Sequence, residues 1–184
     1  MGVTKNREDV DETLIRSETP SDIAAIRTIN IAAFAAHRYS RHTEHLIVDA
    51  LRHDRALAAS LVAVRNDQPV GYIAFSKAEV GEMGDGWYLV GPLAVLPEFQ
   101  RQGIGSLLLA SGLEELRSRQ AAGCVLVGDS RFYRRFGFDV HPGLVYQGVP
   151  NEFVLGLSFG TVSPTGAIKA HRAFEIQPVN GKAC

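Results

Sequence analysis

Between Leu96 and Leu116 the chain reads LPEFQRQGIGSLLLASGLEEL. Polar Gln100, Arg101 and Gln102 give way to Gly103 and Gly105, and a leucine-rich helical pattern starts at once. Glycine lets a backbone approach a ligand closely, and the first amides of a helix have no intrahelical acceptor. With the helix dipole behind them, those amides make a favourable seat for an anion such as phosphate. Two familiar phosphate loops fail on counting. A P-loop carries Lys and then Ser or Thr after its last glycine, whereas Gly105 is followed by Ser106 and Leu107. A dinucleotide fingerprint needs a further glycine where Leu108 stands. An ordinary glycine turn into a helix stays open as an alternative.

The segment just upstream, WYLVGPLAV at residues 87–95, is apolar throughout, as in a strand buried on both faces. Gly91-Pro92 interrupts it, and proline cannot donate to a ladder. A bulge is expected there, with some backbone groups left without a partner strand. Unpaired amides next to a phosphate-holding helix start point to a ligand lying along the strand edge.

The elements that must position these groups follow from periodicity. TLIRSET reads as a short strand. Thr19, Pro20 and Asp22 carry helix-start chemistry before Ile23, Ile26 and Ile29. Thr43 is placed to cap a second helix, EHLIVDALRHD, with Leu46, Ile47, Ala50 and Leu51 on one face. SLVAVRNDQPVGYIAFS reads as two strands joined by a turn at Asn66 to Pro69. The helix after the glycines is expected to be buried at its start, through Ile104, Leu107, Leu108 and Leu109. CVLVG is a further buried strand, SRFYRRF a short helix ending at Gly137, and GLVYQGV and NEFVLGLSF are closing strands. The expected class is a single mixed α/β domain over residues 11–160, with a flexible start at 1–10 and a loosely specified tail at 161–184.

Composition bounds the partners. The 184 residues are 46% hydrophobic and carry a formal net charge of -1, so no basic field argues for nucleic acid or an anionic membrane. No apolar run is long enough to span a bilayer, and the polar start lacks the apolar core of a signal peptide. The two cysteines, Cys124 and Cys184, argue against a disulfide framework or a zinc site, and a reducing cytoplasm is the expected location.

LAVLPEFQRQGIGSLLL followed by FYRRFGF resembles the GCN5-related N-acetyltransferase (GNAT) superfamily. The matched motifs are Gln-x-x-Gly-x-Gly at Gln100, Gly103 and Gly105, and Tyr-x-x-x-Gly-Phe at Tyr133, Gly137 and Phe138. GPLAVLPEFQRQGIGS and VGDSRFYRRFGF look in particular like its YhbS-type branch. The resemblance implies a mostly antiparallel mixed sheet flanked by helices and splayed at the strand that binds acetyl-CoA.

It also implies roles. The backbone of Arg101, Gln102, Gly103, Ile104, Gly105 and Ser106, after Gln100, would hold the pyrophosphate of acetyl-CoA. The pantetheine arm would run along Leu93, Ala94 and Val95, with the Val95 amide polarising the thioester carbonyl. Asp129, Phe132 and Phe136 would complete the cofactor site. Tyr133 would protonate the leaving thiolate, which suits a phenol that is neutral at pH 7.

The attacking amine must shed a proton, and many members carry a glutamate for this where Leu89 stands. Glu44 is the alternative carboxylate, with His37, His42 and His45 nearby and Asp129 beyond the next strand. The expected activity is direct acetyl transfer from acetyl-CoA to a primary amine, with no metal; a homodimer is admitted. A non-catalytic acyl-CoA-binding module and an O-acyl or longer-acyl transferase remain as alternatives.

Overall fold

The computed structural model describes residues 12–38 and 40–178; residues 1–11, which include the polar start expected at 1–10, Tyr39 and the last six residues lie outside the described residues. The frame is the hairpin of β2 (Leu57–Arg65) and β3 (Gln68–Val80). Its two-residue turn, Asn66 and Asp67, has φ of 49° and 60° at the two positions. Such a turn matches the twist of paired strands, and Asn and Asp tolerate it. Pro69 lies inside β3 opposite Val64, beyond the turn in which the sequence pattern had placed it. The register shifts between Ala63 and Val64, where a residue without an N–H is accommodated.

Strand β1 (Leu14–Ser17) pairs antiparallel with the outer edge of β2, and β4 (Trp87–Val95) pairs antiparallel with β3. Strand β5 (Gly123–Val127) joins β4 in parallel, and β7 (Val154–Ser158) lies antiparallel beyond it. The main order is β1-β2-β3-β4-β5-β7, in a mixed and mostly antiparallel sheet. Two short strands, β6 (Leu144–Val145) and β8 (Gly166–Lys169), pair with one another, and β8 also pairs with the end of β3.

Helices cover both faces. The helices α1 (Ile23–Phe34) and α2 (Glu44–His53) bury Ile26, Ile29 and Val48 against Val62, Tyr72 and Ala94. Val48 and Leu51 carry the buried side of α2, while Leu46 and Ile47 of the predicted face stay half-buried. On the opposite face α3 (Ile104–Ser118) buries Ile104, Leu108, Leu109, Leu113 and Leu116 against Ile73 and Phe75. Each such side chain contributes roughly 1.5–3 kcal/mol by leaving water. Leu107, expected among the buried residues, is exposed instead. Gly112 lets α3 lie against the Phe75 ring, because a β-carbon there would overlap it.

A polar network fixes α2 to the sheet. Glu18 accepts from Arg52 at 2.8 and 2.9 Å and from Ser60 Oγ at 2.6 Å, and Ser60 Oγ lies 2.8 Å from the Tyr72 hydroxyl. Burial by itself would raise the Glu18 pKa, but the hydrogen bonds from Arg52 and Ser60 outweigh it and leave the carboxyl below its ordinary range. At the start of α1, buried Asp22 accepts from Arg16 at 2.7 and 2.9 Å and from the Thr19 amide at 2.7 Å.

Beyond Gly160 the sequence carried little periodic signal, yet β8 and a 3-10 turn at Arg172–Glu175 pack there. Ala173 is buried, and Arg172 donates to Asp54, the residue that ends α2, at 2.9 Å. No helix among the described residues is long and apolar enough to cross a membrane.

Candidate active site

The cleft begins where β4 and β5 part. They pair at Trp87–Gly123, Tyr88–Cys124 and Leu89–Val125, and no further. Between Leu89 and Leu93, β4 bulges: Ile73 of β3 faces Leu93 while Phe75 faces Val90. Gly91-Pro92, a cis peptide, occupies that bulge. Beyond it β5 continues to pair with β7 at Leu126 and Val127, so that no strand among the described residues pairs with the β5-facing edge of Leu93 to Val95.

Strand parity sets which groups face this gap. Leu96 donates to the Val70 carbonyl at 2.9 Å, so Leu96 points its backbone at β3. In an antiparallel pair alternate residues point alternate ways. Ala94 therefore also faces β3, whereas the N–H and C=O of Leu93 and Val95 face the cleft. Ala94, grouped with them from sequence, is buried against the α1–α2 layer and offers the cleft no amide.

The loop after β4 is anchored at that edge. Gln100 Nε2 donates to the Val95 carbonyl at 3.0 Å, so the side chain of this motif residue clamps loop to strand. Gln102 donates to the Glu98 carbonyl at 3.0 Å and accepts from Arg65 at 2.6 Å. Arg101 and Gly103 both have positive φ, 60° and 86°. These turns bring the chain sharply into α3, where Ser106 and Leu107 donate to the Gly103 carbonyl at 2.9 and 3.0 Å. The amides of Gly103, Ile104 and Gly105 precede those first helical bonds and sit where an anion is favoured.

The short helix α4 (Ser130–Tyr133) closes the far side, continuing as a 3-10 turn through Phe136 until Gly137 at φ 91°. A β-carbon placed on Gly105 would meet Phe132 at 3.7 Å, Val95 at 3.8 Å and Leu93 at 3.9 Å. Loop, strand edge and α4 thus converge at one point. Tyr133 rests on the Gly128 backbone just past β5, with Phe132 at 4.9 Å and Phe138 at 5.9 Å between ring centroids. Burial pushes its hydroxyl up to about 12. Phe136 packs beside Phe132 with its ring tilted 43° and the centroids 5.6 Å apart.

Other candidates are placed less centrally. Asp129 caps α4, accepting from the Arg131 amide at 3.0 Å and pairing with its guanidinium, which holds the carboxyl below its ordinary range. Glu44 opens α2 on the face opposite α3 and accepts from Ser40 Oγ at 2.6 Å. His37 meets Phe34 edge-on, with ring centroids 5.7 Å apart, and His42 adopts φ 58° in the loop between α1 and α2. Leu89 is buried at the last paired position before the gap, facing Ser76 across the sheet. Cys124 is buried in the α3-side core, and burial drives its thiol well above its ordinary range. A cavity of about 1190 Å³ opens elsewhere, around Trp87, Arg117 and Phe159, away from the parted ends of β4 and β5.

Sequence reasoning passed over Arg135, whose guanidinium donates to Ser106 Oγ at 3.0 Å beside these amides. Its signal was only a second arginine after the motif tyrosine, since no local pattern says which arginine finds a carboxylate.

Residues 56–140 match the family model described as Acetyltransferase (GNAT) domain. Over 128 residues the chain is 34% identical to the uncharacterized N-acetyltransferase YhbS of Escherichia coli (strain K12), covering 69% of this chain and 74% of that protein. The crystal structure of Escherichia coli YhbS in complex with CoA superposes with a TM-score of 0.81 at 30% identity, over 89% of this chain and 92% of that one. A GNAT family acetyltransferase from Brucella melitensis, in complex with acetyl-CoA, superposes with a TM-score of 0.79 at 43% identity, over 89% of this chain and 99% of that one. With a split sheet, a glycine-lined helix start and a tyrosine at the open strand end, the chain belongs to the GNAT acetyltransferases, in the branch that includes YhbS.

Proposed function

We propose that the protein transfers an acetyl group from acetyl-CoA directly to a primary amine. The observation that carries this reading is the gap between β4 and β5, edged by the backbone of Leu93 and Val95 and ending at the free amides of α3. The pantetheine arm of acetyl-CoA has amides to pair along such an edge, and its pyrophosphate suits the helix start. The neighbours from Brucella melitensis and Escherichia coli were crystallised with acetyl-CoA and CoA, which supports the same occupant here.

In this reading the Val95 amide donates to the thioester oxygen as charge develops on it. The amine nitrogen bonds to the thioester carbon, the C–S bond breaks, and the departing sulfur receives the Tyr133 hydroxyl proton. An amine of pKa near 10.4 is almost wholly protonated at pH 7, so its attack needs a proton acceptor. With Leu89 at the gap, we assign that task to Glu44, acting through water from the α2 side. The face of β4 that carries Leu93 and Val95 is filled by α3, so the acceptor approaches from the face of α1 and α2. Buried Cys124 has no part in the reaction, and transfer is sequential.

The test joins binding to turnover. Acetyl-CoA is expected to raise the melting temperature, and CoA release is expected with at least one member of a panel of small amines and N-terminal or lysine peptides. No thermal shift at millimolar acetyl-CoA would overturn the reading. A shift without CoA release across the panel would favour a binding module.

A further inference from the structure

The segment SRFYRRF carries Arg131, Arg134 and Arg135. Arg131 pairs with Asp129, and Arg134 with Asp139 at 3.2 Å. Arg135 has no carboxylate within 4.0 Å among the described residues. Its guanidinium is nonetheless held in place. The guanidinium carbon lies 4.5 Å from the Phe132 centroid and 5.2 Å from that of Phe136, and Nη2 donates to Ser106 Oγ at 3.0 Å.

Cation–π stacking fixes a guanidinium without consuming its charge or its in-plane donors. Ser106 takes one donor and offers no counter-charge. The result, among the described residues, is a pre-positioned cation with no carboxylate partner on the α4 side of the α3 start, where the amides of Gly103, Ile104 and Gly105 precede the first helical bonds and already favour an anion. Arginine meets phosphate oxygens with two parallel N–H donors, which a backbone amide does not provide.

We infer that Arg135 is a phosphate-binding residue of the CoA site, its guanidinium clamping a phosphate of the donor while Phe132 and Phe136 hold its plane. This rests on the acetyl-CoA reading above. Ser106 is its positioning partner, so the site reads phosphate through a side-chain fork in addition to the glycine loop. The phosphate belongs either to the pyrophosphate or to the 3′-phosphate of CoA, both offering the same oxygens.

The experiment compares wild type, Arg135→Gln and Arg135→Lys with three donors: acetyl-CoA, acetyl-dephospho-CoA and acetylpantetheine. Gln keeps a stem against the rings and removes the charge; Lys keeps the charge and loses the fork. The expected result is that Arg135→Gln weakens acetyl-CoA binding by roughly tenfold or more, a typical size for a charge-assisted hydrogen bond. The kcat/KM preference for acetyl-CoA over acetylpantetheine should fall by the same factor, with Arg135→Lys intermediate. A loss that persists with acetyl-dephospho-CoA assigns the pyrophosphate, and one that vanishes assigns the 3′-phosphate.

An unchanged preference would overturn the proposal, as would an equal loss with acetylpantetheine, which would mark a role in packing Phe132 and Tyr133. If wild-type protein itself failed to bind acetyl-CoA, the broader reading would fail instead.

Discussion

Gln100 Nε2 donates to the Val95 carbonyl at 3.0 Å, tying the glycine loop before α3 to the strand edge that faces the cleft. One bond thus couples the two parts of the proposed acetyl-CoA site. It occupies the Val95 acceptor and fixes how far the α3 amides stand from the Val95 amide.

Gln100→Leu removes that clamp while leaving a side chain of similar size. Net loss of an exposed hydrogen bond costs about 1 kcal/mol. The expected outcome is a Tm lowered by a few degrees and an acetyl-CoA Kd raised roughly five- to tenfold by calorimetry. An unchanged Kd would show that loop and strand hold their spacing without it.

Gly105 separates a ligand requirement from a folding requirement. It sits in the first turn of α3 without a positive φ, and a methyl there meets neighbours only at ordinary contact distances of 3.7 to 3.9 Å. Gly105→Ala should therefore stabilise the ligand-free protein by up to about 1 kcal/mol. The same methyl narrows the approach of a phosphate, so acetyl-CoA affinity should fall. A ligand-free Tm that drops would refute the steric account.

In the proposed reaction Tyr133 acts in its protonated form, and burial pushes its hydroxyl up to about 12. The phenol thus stays a donor far above the range of an exposed tyrosine. The kcat profile should show no alkaline fall through pH 10, and a limb between pH 9 and 10 would contradict this role. Tyr133→Phe should lower kcat about 100-fold, with the KM for acetyl-CoA nearly unchanged.

Glu44→Gln tests the assigned proton acceptor. At pH 7 kcat/KM should drop about 100-fold, with recovery as the pH rises toward the pKa of the amine. Equal activity at pH 7 would leave water alone as the acceptor.

Asp22 links stability to pH. Its hydrogen bonds with Arg16 hold its carboxyl well below the ordinary range near 4. A depressed folded-state pKa contributes stability that is complete above about pH 4 and is lost as the pH falls toward the folded value. Asp22→Asn keeps an oxygen for the Thr19 amide but removes the charge. Because Arg16 is partly exposed, the expected loss at pH 7 is about 2 kcal/mol, or roughly 4–8 °C in Tm, shrinking toward pH 2. A difference that stays constant from pH 7 to pH 2 would rule out the linkage.

Much of the fold was legible because the relevant signals are local. Periodicity located the hairpin, the long helix and the buried strand, and the glycine spacing marked the helix start. Gly91-Pro92 announced the bulge, since proline removes a ladder donor wherever it falls. Residues after Gly160 were not legible: β8 is four residues long and exists through pairing with β3, from which it is remote in sequence.

The site divides along the same line. By its own pattern the sequence determined the anion-favouring turn at Gly103 to Ser106 and the aromatic segment around Tyr133, because spacing alone sets backbone freedom and helix ends. Only the tertiary structure decided that Leu93 and Val95, and not Ala94, face the cleft, since strand parity depends on register with β3. Only it decided that Asp129 is engaged by Arg131 and that Arg135, beside Ser106, has no carboxylate partner among the described residues. Charge pairing is a matter of distance in space, and the chain's order does not encode which of three neighbouring arginines will find a partner.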